Sequence, residues 1–184
     1  MTEARRLTAV VTVGTDHHRF DRLMDWLESW DAANPGAVAW IVQHGSSRPM
    51  AGADGFAMKP RSELLSLIRA ADLVITQGGP GGIMDSRECG VVPIVVPRLA
   101  RLQEVVDDHQ VAFAQQLSRK GLLVLAQSEA ELHAALDRAV ANPGEFRVDV
   151  RAGDVTETVA RFAAAVDEML ARKPARVSRR AAVR

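Results

Sequence analysis

The sequence predicts an α/β fold in which a single parallel sheet carries helices on both faces, the doubly wound, Rossmann-like arrangement. Three observations predict it. Short apolar, β-branched runs alternate with segments of helical periodicity along the chain. Residues 71–97 read as strand, glycine-rich turn, helix and strand, which is the βαβ unit of parallel sheets. A hydrophobic content of 47% in 184 residues supplies one core and indicates a single domain.

The elements before the glycine-rich turn follow from this alternation. Leu7–Val13 is apolar and β-branched, so we predict a central strand that is buried on both faces. The next elements are a helix over residues 19–31 that ends at Asn34-Pro35-Gly36, strands over Val38–Val42 and Gly55–Met58, and a helix over Ser62–Ala70.

The elements after it continue the pattern. The predicted strands are Leu73–Ile75, Ile94–Val96 and Leu122–Leu125, and the predicted helices are His109–Lys120, the segment from the capping box Ser128-x-x-Glu131 to Ala141, and Val155–Leu170. We expect residues 1–171 to form the domain and the basic residues 172–184 to form a flexible tail.

Composition excludes several classes of function. The 23 basic and 23 acidic residues balance, so no overall charge attracts a nucleic acid. Cys89 is the only cysteine, which rules out an internal disulfide. No apolar stretch is long enough to span a bilayer and no signal-peptide segment is present, so a soluble cytoplasmic protein is expected. We expect no metal at His17-His18, because adjacent side chains seldom point at one ion.

The glycine-rich turn Gly78-Gly79-Pro80-Gly81-Gly82 joins a predicted strand to a predicted helix. It matches neither the GxGxxG dinucleotide pattern nor the GxxxxGK[ST] phosphate loop. Glycines at a helix start let a ligand approach the backbone, where free N–H groups and the helix dipole favour a phosphate. A tight turn with no ligand is the alternative interpretation.

A longer pattern surrounds this turn. It comprises Thr76-Gln77-Gly78-Gly79-Pro80, Asp85, Gly90, Pro93 and Pro97, followed by Asp107-Asp108-His109-Gln110. In order and spacing it resembles the C-terminal domain of glycosyltransferase family 28, the donor-binding half of GT-B enzymes. The resemblance covers roughly residues 8–140. Members include the catalytic subunit of the two-part UDP-GlcNAc transferase of dolichol-linked glycan synthesis and bacterial exopolysaccharide glycosyltransferase subunits.

The resemblance implies donor-binding roles for the loops at the carboxyl edge of the sheet. Gly14 and Thr15 would lie beside the donor diphosphate, although Thr15 also suits a helix cap. Met58 would hold the nucleotide base through its main chain, although core packing with Phe56 explains it equally well. The donor contacts expected from the turn and its helix are Gln77, Gly79, Pro80, Gly81, Gly82 and Asp85.

Two of these positions depart from the family pattern. Many relatives have His where this chain has Gln77, which donates hydrogen bonds but never carries charge. The family usually has Glu at the position of Asp85, which is expected to accept the ribose hydroxyls, with Glu88 as a second candidate. Asp108, His109 and Gln110 resemble the motif that contacts the donor sugar, or else they complement a helix dipole.

The function implied is UDP-sugar binding within an inverting, metal-independent glycosyltransferase of polysaccharide or glycolipid synthesis. UDP-sugar is the substrate, and no cofactor or metal is expected. One Rossmann-like domain is half of a GT-B enzyme, so a separate, membrane-associated acceptor-binding subunit is expected, and it would recruit this chain to the inner membrane face. Asp16 and His17 are only loosely placed as a general base. Arg98 is either a diphosphate counter-charge or a surface residue. The alternatives are a non-catalytic nucleotide-sugar-binding module and an unrelated Rossmann-like interaction domain.

Overall fold

The computed structural model describes residues 5–148 together with Ala160, Ala163, Ala164 and Asp167. Strands and helices alternate along the first of these segments, except that no helix separates the second strand from the third. Their bounds are β1 (Leu7–Thr12), α1 (Asp21–Ala33), β2 (Val38–Gln43), β3 (Asp54–Phe56), α2 (Arg61–Ala70), β4 (Leu73–Gln77), α3 (Pro80–Glu88), β5 (Ile94–Val96), α4 (His109–Arg119), β6 (Val124–Leu125) and α5 (Glu129–Ala141). Short 3₁₀ helices occur at Ala100–Leu102 and Pro143–Phe146.

The six strands form one sheet of order β3-β2-β1-β4-β5-β6, and every neighbouring pair is parallel. This is the strand order of a doubly wound nucleotide-binding sheet, so the predicted fold class is confirmed. The chain first adds strands on one side of β1 and then crosses to add β4 on the other side. The order therefore reverses between β1 and β4, and this is where such sheets bind ligands.

Both faces of the sheet are covered by helices. Alternate residues of the strands pack under α1 and α5 on one face, where Phe20, Leu27 and Leu136 are fully buried. The intervening residues, including Val10 and Val74, pack under α2, α3 and α4 on the other face. Burial on two faces explains why the strands read as continuous apolar runs instead of alternating ones.

Two predicted strands differ from the observed ones. The third strand is Asp54–Phe56 and not Gly55–Met58, because β2 ends at Gln43 and leaves residues 57 and 58 without a strand partner. Met58 is 53% exposed, so the alternative interpretation that it packs in the core is wrong, while its main-chain contact with a nucleotide base stays a prediction. The sixth strand is Val124–Leu125, because only Ile94 and Val95 of β5 pair with it, and Leu122 and Leu123 instead pack against α4.

The predicted capping box is confirmed at the start of α5. The Glu131 backbone N–H donates to Ser128 Oγ at 3.3 Å, and the Glu131 carboxylate accepts from the Gln127 N–H at 2.6 Å. The predicted helix Val155–Leu170 and the basic tail 172–184 fall outside the continuously described residues. Among the helices that are described, none has the length and apolar character required to cross a bilayer.

Candidate functional site

A cleft of about 380 Å³ opens at the carboxyl ends of β1, β2 and β4, at the reversal point of the sheet. Thr12, Gln43 and Thr76, each at or next to the end of its strand, line this cleft. Leu64 and Ile68 of α2 form an apolar wall. The volume falls within the range of small-molecule sites, and the mixture of an apolar wall and a polar floor is typical of them.

The cleft brings together most of the residues that the sequence singled out. Those lining it are Gly14, Thr15, Met58, Gln77, Gly79, Pro80, Gly81, Gly82 and Asp85. They come from the ends of β1 and β4, the loop after β3, and the first turns of α3. Their convergence follows from topology, since the carboxyl ends of parallel strands meet at one edge. Their role as ligand contacts stays a prediction.

The predicted sugar-contacting residues Asp108, His109 and Gln110 do not line the cleft but begin the neighbouring helix α4. Gln110 lies next to the glycine-rich turn, since a Cβ at Gly78 would lie 3.0 Å from the Gln110 Cβ. The Gln110 Oε1 accepts from the Arg98 N–H at 3.3 Å, and the Asp108 carboxylate accepts from the Ala100 N–H at 2.9 Å. Their place in a donor site stays a prediction.

The glycines around the cleft have different neighbours. A Cβ added at Gly81 would meet nothing within 4 Å, so the space beside it belongs to the cleft. A Cβ at Gly82 would overlap the Thr76 Oγ1, and one at Gly79 would overlap the Gln77 carboxamide. At Gly14, where φ is +74°, an added Cβ would lie 2.8 Å from the Gln77 Nε2. Among these four glycines only Gly81 therefore has open space beside it, whereas Gly82, Gly79 and Gly14 lie against protein side chains. The expectation that the glycines of the turn let a ligand approach stays a prediction.

Three buried oxygen atoms of the cleft residues have no hydrogen-bond partner in the described structure. They are Gln43 Oε1, Thr76 Oγ1 and Gln77 Oε1. Thr76 is fully buried and Gln43 is 3% exposed. An unsatisfied buried acceptor costs about 1–3 kcal/mol. Unsatisfied groups of this kind are uncommon, and their concentration at one cleft is typical of a binding site.

The N-terminus of α3 points its unsatisfied backbone donors towards the cleft. Gly79 at the N-cap provides no side chain to cap the helix, and Pro80 occupies the first turn without an N–H of its own. The amides of Gly81 and Gly82 follow. Free N–H groups and the positive end of the helix dipole together favour an anion at this position.

Charged side chains flank this helix end. Arg61, the first residue of α2, donates to the Asp85 Oδ1 from Nη2 at 2.5 Å and from Nε at 3.2 Å. The hydrogen bond to Asp85 raises the pKa of the Arg61 guanidinium, and the negative charge of the same carboxylate adds to the effect. Lys59 also lines the cleft and pairs with Glu63 at 3.3 Å.

The loop after β1 brings the Asp16 carboxylate close to the two histidines that follow it. Asp16 Oδ1 accepts from the His18 N–H at 2.8 Å and lies 2.6 Å from the His18 Nδ1 and 3.9 Å from the His17 Nδ1. The ligating atoms of these three residues lie within 4.8 Å of one another, so the argument that adjacent side chains diverge is wrong for this loop. The Asp16–His18 turn folds the loop back on itself and causes the difference. The expectation of no metal stays a prediction.

The protonation of Asp16 bears on its candidacy as a base. Burial raises the pKa of its carboxyl, but the hydrogen bonds from the His18 amide and ring and the positive charge of Arg98 outweigh it. The net pKa is below the ordinary value. Asp16 is therefore ionised at neutral pH but holds a proton weakly, which makes it a poorer general base.

Arg98 is a buried residue that holds together the loops beside the cleft, and it is not a surface residue. Its side chain is fully buried, and its guanidinium donates to the carbonyls of Val13, His18 and Glu104 at 2.8, 2.8 and 2.9 Å. The expectation of a surface position is wrong. The carbonyls engage Nη1 and Nη2, whereas the buried Nε has no hydrogen-bond partner among the described residues, and a role as diphosphate counter-charge stays a prediction. Arg98 joins the end of β1, the loop after it and the loop after β5.

Several cleft residues were not proposed from the sequence. Gln43 and Thr76 are polar residues at the ends of apolar strands, and that position at the carboxyl edge was the signal available for them. Arg61 is the first residue of α2, and its contact with Asp85 joins two separate helices. No sequence motif records that contact.

A Rossmann-like domain with an anion-favouring helix end at the reversal point of its sheet belongs to the class of nucleotide-binding α/β domains. The family model of the glycosyltransferase family 28 C-terminal domain matches residues 8–166. The chain belongs to this family. No curated protein sequence matches the chain.

Three of the solved structures with the same fold are glycosyltransferases. The chain superposes on the glycotransferase of kitacinnamycin with a TM-score of 0.56 at 19% identity, covering 93% of this chain and 42% of that one. On the calicheamicin glycosyltransferase CalG4 it superposes with a TM-score of 0.55 at 12% identity, covering 93% of this chain and 45% of that one. On MurG of Acinetobacter baumannii the TM-score is 0.55 at 16% identity, and the match covers 91% of this chain and 49% of that one. The chain thus spans less than half the length of these structures and has the architecture of one half of a GT-B glycosyltransferase.

Proposed function

We propose that this chain is the UDP-sugar-binding part of an inverting, metal-independent glycosyltransferase that acts in polysaccharide or glycolipid synthesis. In this proposal a separate subunit binds the acceptor and associates with the membrane. The observation that carries the proposal is the uncapped N-terminus of α3, which faces a cleft at the sheet reversal point where Gly81 has open space beside it. Membership in the family 28 C-terminal domain supports the sugar-transfer chemistry.

The residues of the cleft suit the parts of a nucleotide sugar. The backbone amides at the start of α3 would donate to the diphosphate, and their dipole would stabilise charge on it. The exposed Met58 lies beside the apolar wall of Leu64 and Ile68, where a base ring would pack. Asp85 offers a carboxylate to the ribose hydroxyls. Gln77 would donate to a phosphate only after turning away from Gly14 and Gly79, where its carboxamide now packs.

In the proposed reaction an acceptor hydroxyl attacks the anomeric carbon as the bond from that carbon to the UDP oxygen breaks. The negative charge then develops on the leaving diphosphate. Preorganised donors at the end of α3 stabilise that charge without a metal, because they need no reorientation during the reaction. The acceptor proton passes to a base, and the weakly basic Asp16 favours a base on the acceptor-binding subunit.

Nucleotide binding tests the cleft directly. Titration calorimetry with UDP is expected to show binding to the chain alone, and Gly81→Val is expected to abolish it by filling the open space. Gly144→Val is the matched control, because its Cβ would meet only Asn142 Oδ1 at an ordinary 3.5 Å, outside the cleft. Equal UDP affinity for both folded variants and the unchanged chain would refute the site.

Transfer tests the activity. A radiolabelled UDP-sugar assay is expected to show no transfer by the pure chain and transfer after addition of the acceptor-binding protein, because alignment of donor and acceptor needs both halves of the cleft. Transfer by the chain alone would contradict the two-subunit proposal. UDP binding without turnover in the presence of the partner would favour the non-catalytic module, which the uncharged Gln77 also suits. Absence of UDP binding would favour an interaction domain.

A further inference from the structure

Arg61 reaches across the cleft rim to a residue that the proposed function places at the ribose. It begins α2, whereas Asp85 lies in the second turn of α3. The Nη2 and Nε atoms of Arg61 approach the same carboxylate oxygen, Oδ1, at 2.5 and 3.2 Å. The Asp85 side chain is 14% exposed and that of Arg61 is 63% exposed. The more buried partner is thus the carboxylate at the cleft wall, which the exposed guanidinium contacts from outside.

This arrangement leaves the two carboxylate oxygens of Asp85 in different situations. Oδ1 is occupied by Arg61, while Oδ2 accepts no hydrogen bond from any described residue. Asp85 lies one helical turn after Gly81, on the face of α3 that lines the cleft. A free carboxylate oxygen on a cleft wall suits a ligand that offers two adjacent hydroxyl donors, because one carboxylate oxygen has two lone pairs.

We propose that Arg61 is a positioning residue that fixes Asp85 so that its free oxygen selects a nucleotide with a vicinal diol, the ribose, over one with 2′-deoxyribose. The inference rests on the proposed function, because it takes the ligand of the cleft to be UDP or a UDP-sugar. Asp85 is shorter by one methylene than Glu, so its reach is limited. A carboxylate fixed in one orientation loses less freedom on binding than a mobile one, and Arg61 supplies that restraint.

The experiment compares UDP with 2′-deoxy-UDP by titration calorimetry on the full chain. We expect the unchanged chain to prefer UDP by about tenfold, the value of one hydrogen bond to a charged group. Asp85→Asn and Arg61→Ala are each expected to remove most of that preference, and the double variant to remove no more than either alone. Arg61→Lys is expected to keep part of the preference for UDP, because an ammonium is a compact point charge and lacks the planar, multi-donor geometry of a guanidinium.

Arg69→Ala is the matched control. Arg69 lies in the last turn of the same helix, is exposed, and does not line the cleft, so its removal makes the same change in charge. It is expected to keep the preference for UDP. Thermal melting of each variant checks that the fold is intact, which the exposure of Arg61 favours.

The other outcomes overturn the inference in distinguishable ways. If Arg61→Ala weakens UDP and 2′-deoxy-UDP equally, Arg61 acts only by general attraction for phosphate. If it tightens UDP binding, the ion pair competes with the ligand and does not prepare the site. If the unchanged chain binds UDP without preferring it to the deoxy form, the positioning role is refuted while the proposed function stands. If it binds neither, the proposed function and this inference fall together.

Discussion

Replacing Arg98 by alanine is expected to destabilise the fold more than any other change of a charged residue at the site edge. The guanidinium donates to three carbonyls on three segments, at Val13, His18 and Glu104. Its removal leaves these buried acceptors without a donor, and each loses about 1–3 kcal/mol. The ring of Phe20, with its centroid 4.8 Å from the guanidinium carbon, also loses a contact.

Part of this loss is offset. Burial lowers the pKa of the Arg98 guanidinium, which shows that burying the charge is itself unfavourable, although Asp16 and Glu104 counter this with their negative charges. Alanine removes that penalty, and water reaches some of the loop carbonyls after relaxation. We therefore expect a net destabilisation of about 3–5 kcal/mol, in the range for breaking a buried charged network.

The assay is thermal and urea unfolding followed by circular dichroism. For a domain of this size the loss corresponds to a decrease in Tm of roughly 10 °C. Arg101→Ala is the control, because Arg101 is exposed in the same loop and is expected to change stability by less than about 0.5 kcal/mol. Arg98→Lys is expected to recover only part of the loss, since a single ammonium does not reach three carbonyls. If Arg98→Ala and Arg101→Ala have the same Tm, the assignment of Arg98 as the link between these loops is refuted.

Three further predictions concern separate parts of the chain. Gly81→Ala is expected to stabilise the fold by about 0.5–1 kcal/mol, because alanine restricts the unfolded chain more than glycine does and its Cβ meets nothing in the folded state. The same variant is expected to weaken UDP binding, so thermal melting would show a higher Tm while titration shows a lower affinity. A lower Tm would contradict the open space beside Gly81. Glu28→Gln is expected to lower the free energy of unfolding by about 1 kcal/mol at pH 7. The hydrogen bond from Arg48 lowers the pKa of Glu28 below 4.5, so its contribution is complete above that value and disappears as the pH falls through the folded-state pKa; a pH-independent difference in urea unfolding would refute this. Gln110→Ala is expected to reduce sugar transfer more than UDP affinity, and equal losses for UDP and the UDP-sugar would assign Gln110 to holding the Arg98 amide instead.

The order of strands and helices was predictable largely because β1, β4 and β5 are buried on both faces and therefore read as apolar runs. The glycine turn before α3 was predictable because it directly follows one such apolar run and precedes the next along the chain. Strand ends were less predictable: β3 and β6 are short because their neighbours end, and a neighbour is a property of the sheet and not of the local sequence.

The site was predictable to the extent that it follows from topology. The convergence of Gly14, Met58 and Gly81 required only that parallel strands end at one edge. The burial of Arg98 and the pairing of Arg61 with Asp85 depend on contacts between segments far apart in sequence. The glycines show the same limit, because the sequence gives no indication that the neighbour of Gly82 is Thr76 while Gly81 faces open space.

The position of β1 in the sheet has a consequence for how the chain folds. Ala9 pairs with Trp40 on one side and with Leu73 on the other, and no two strands that follow each other in the sheet are joined by a hairpin. Long loops must close before any pairing is gained, so folding is expected to be slow for a domain of this size. Until β4 is available, one side of β1 offers free backbone groups among fully buried valines. Fragments that end before Leu73 are therefore expected to associate through that open strand, whereas the sheet formed within residues 5–148 has the short strands β3 and β6 at its margins.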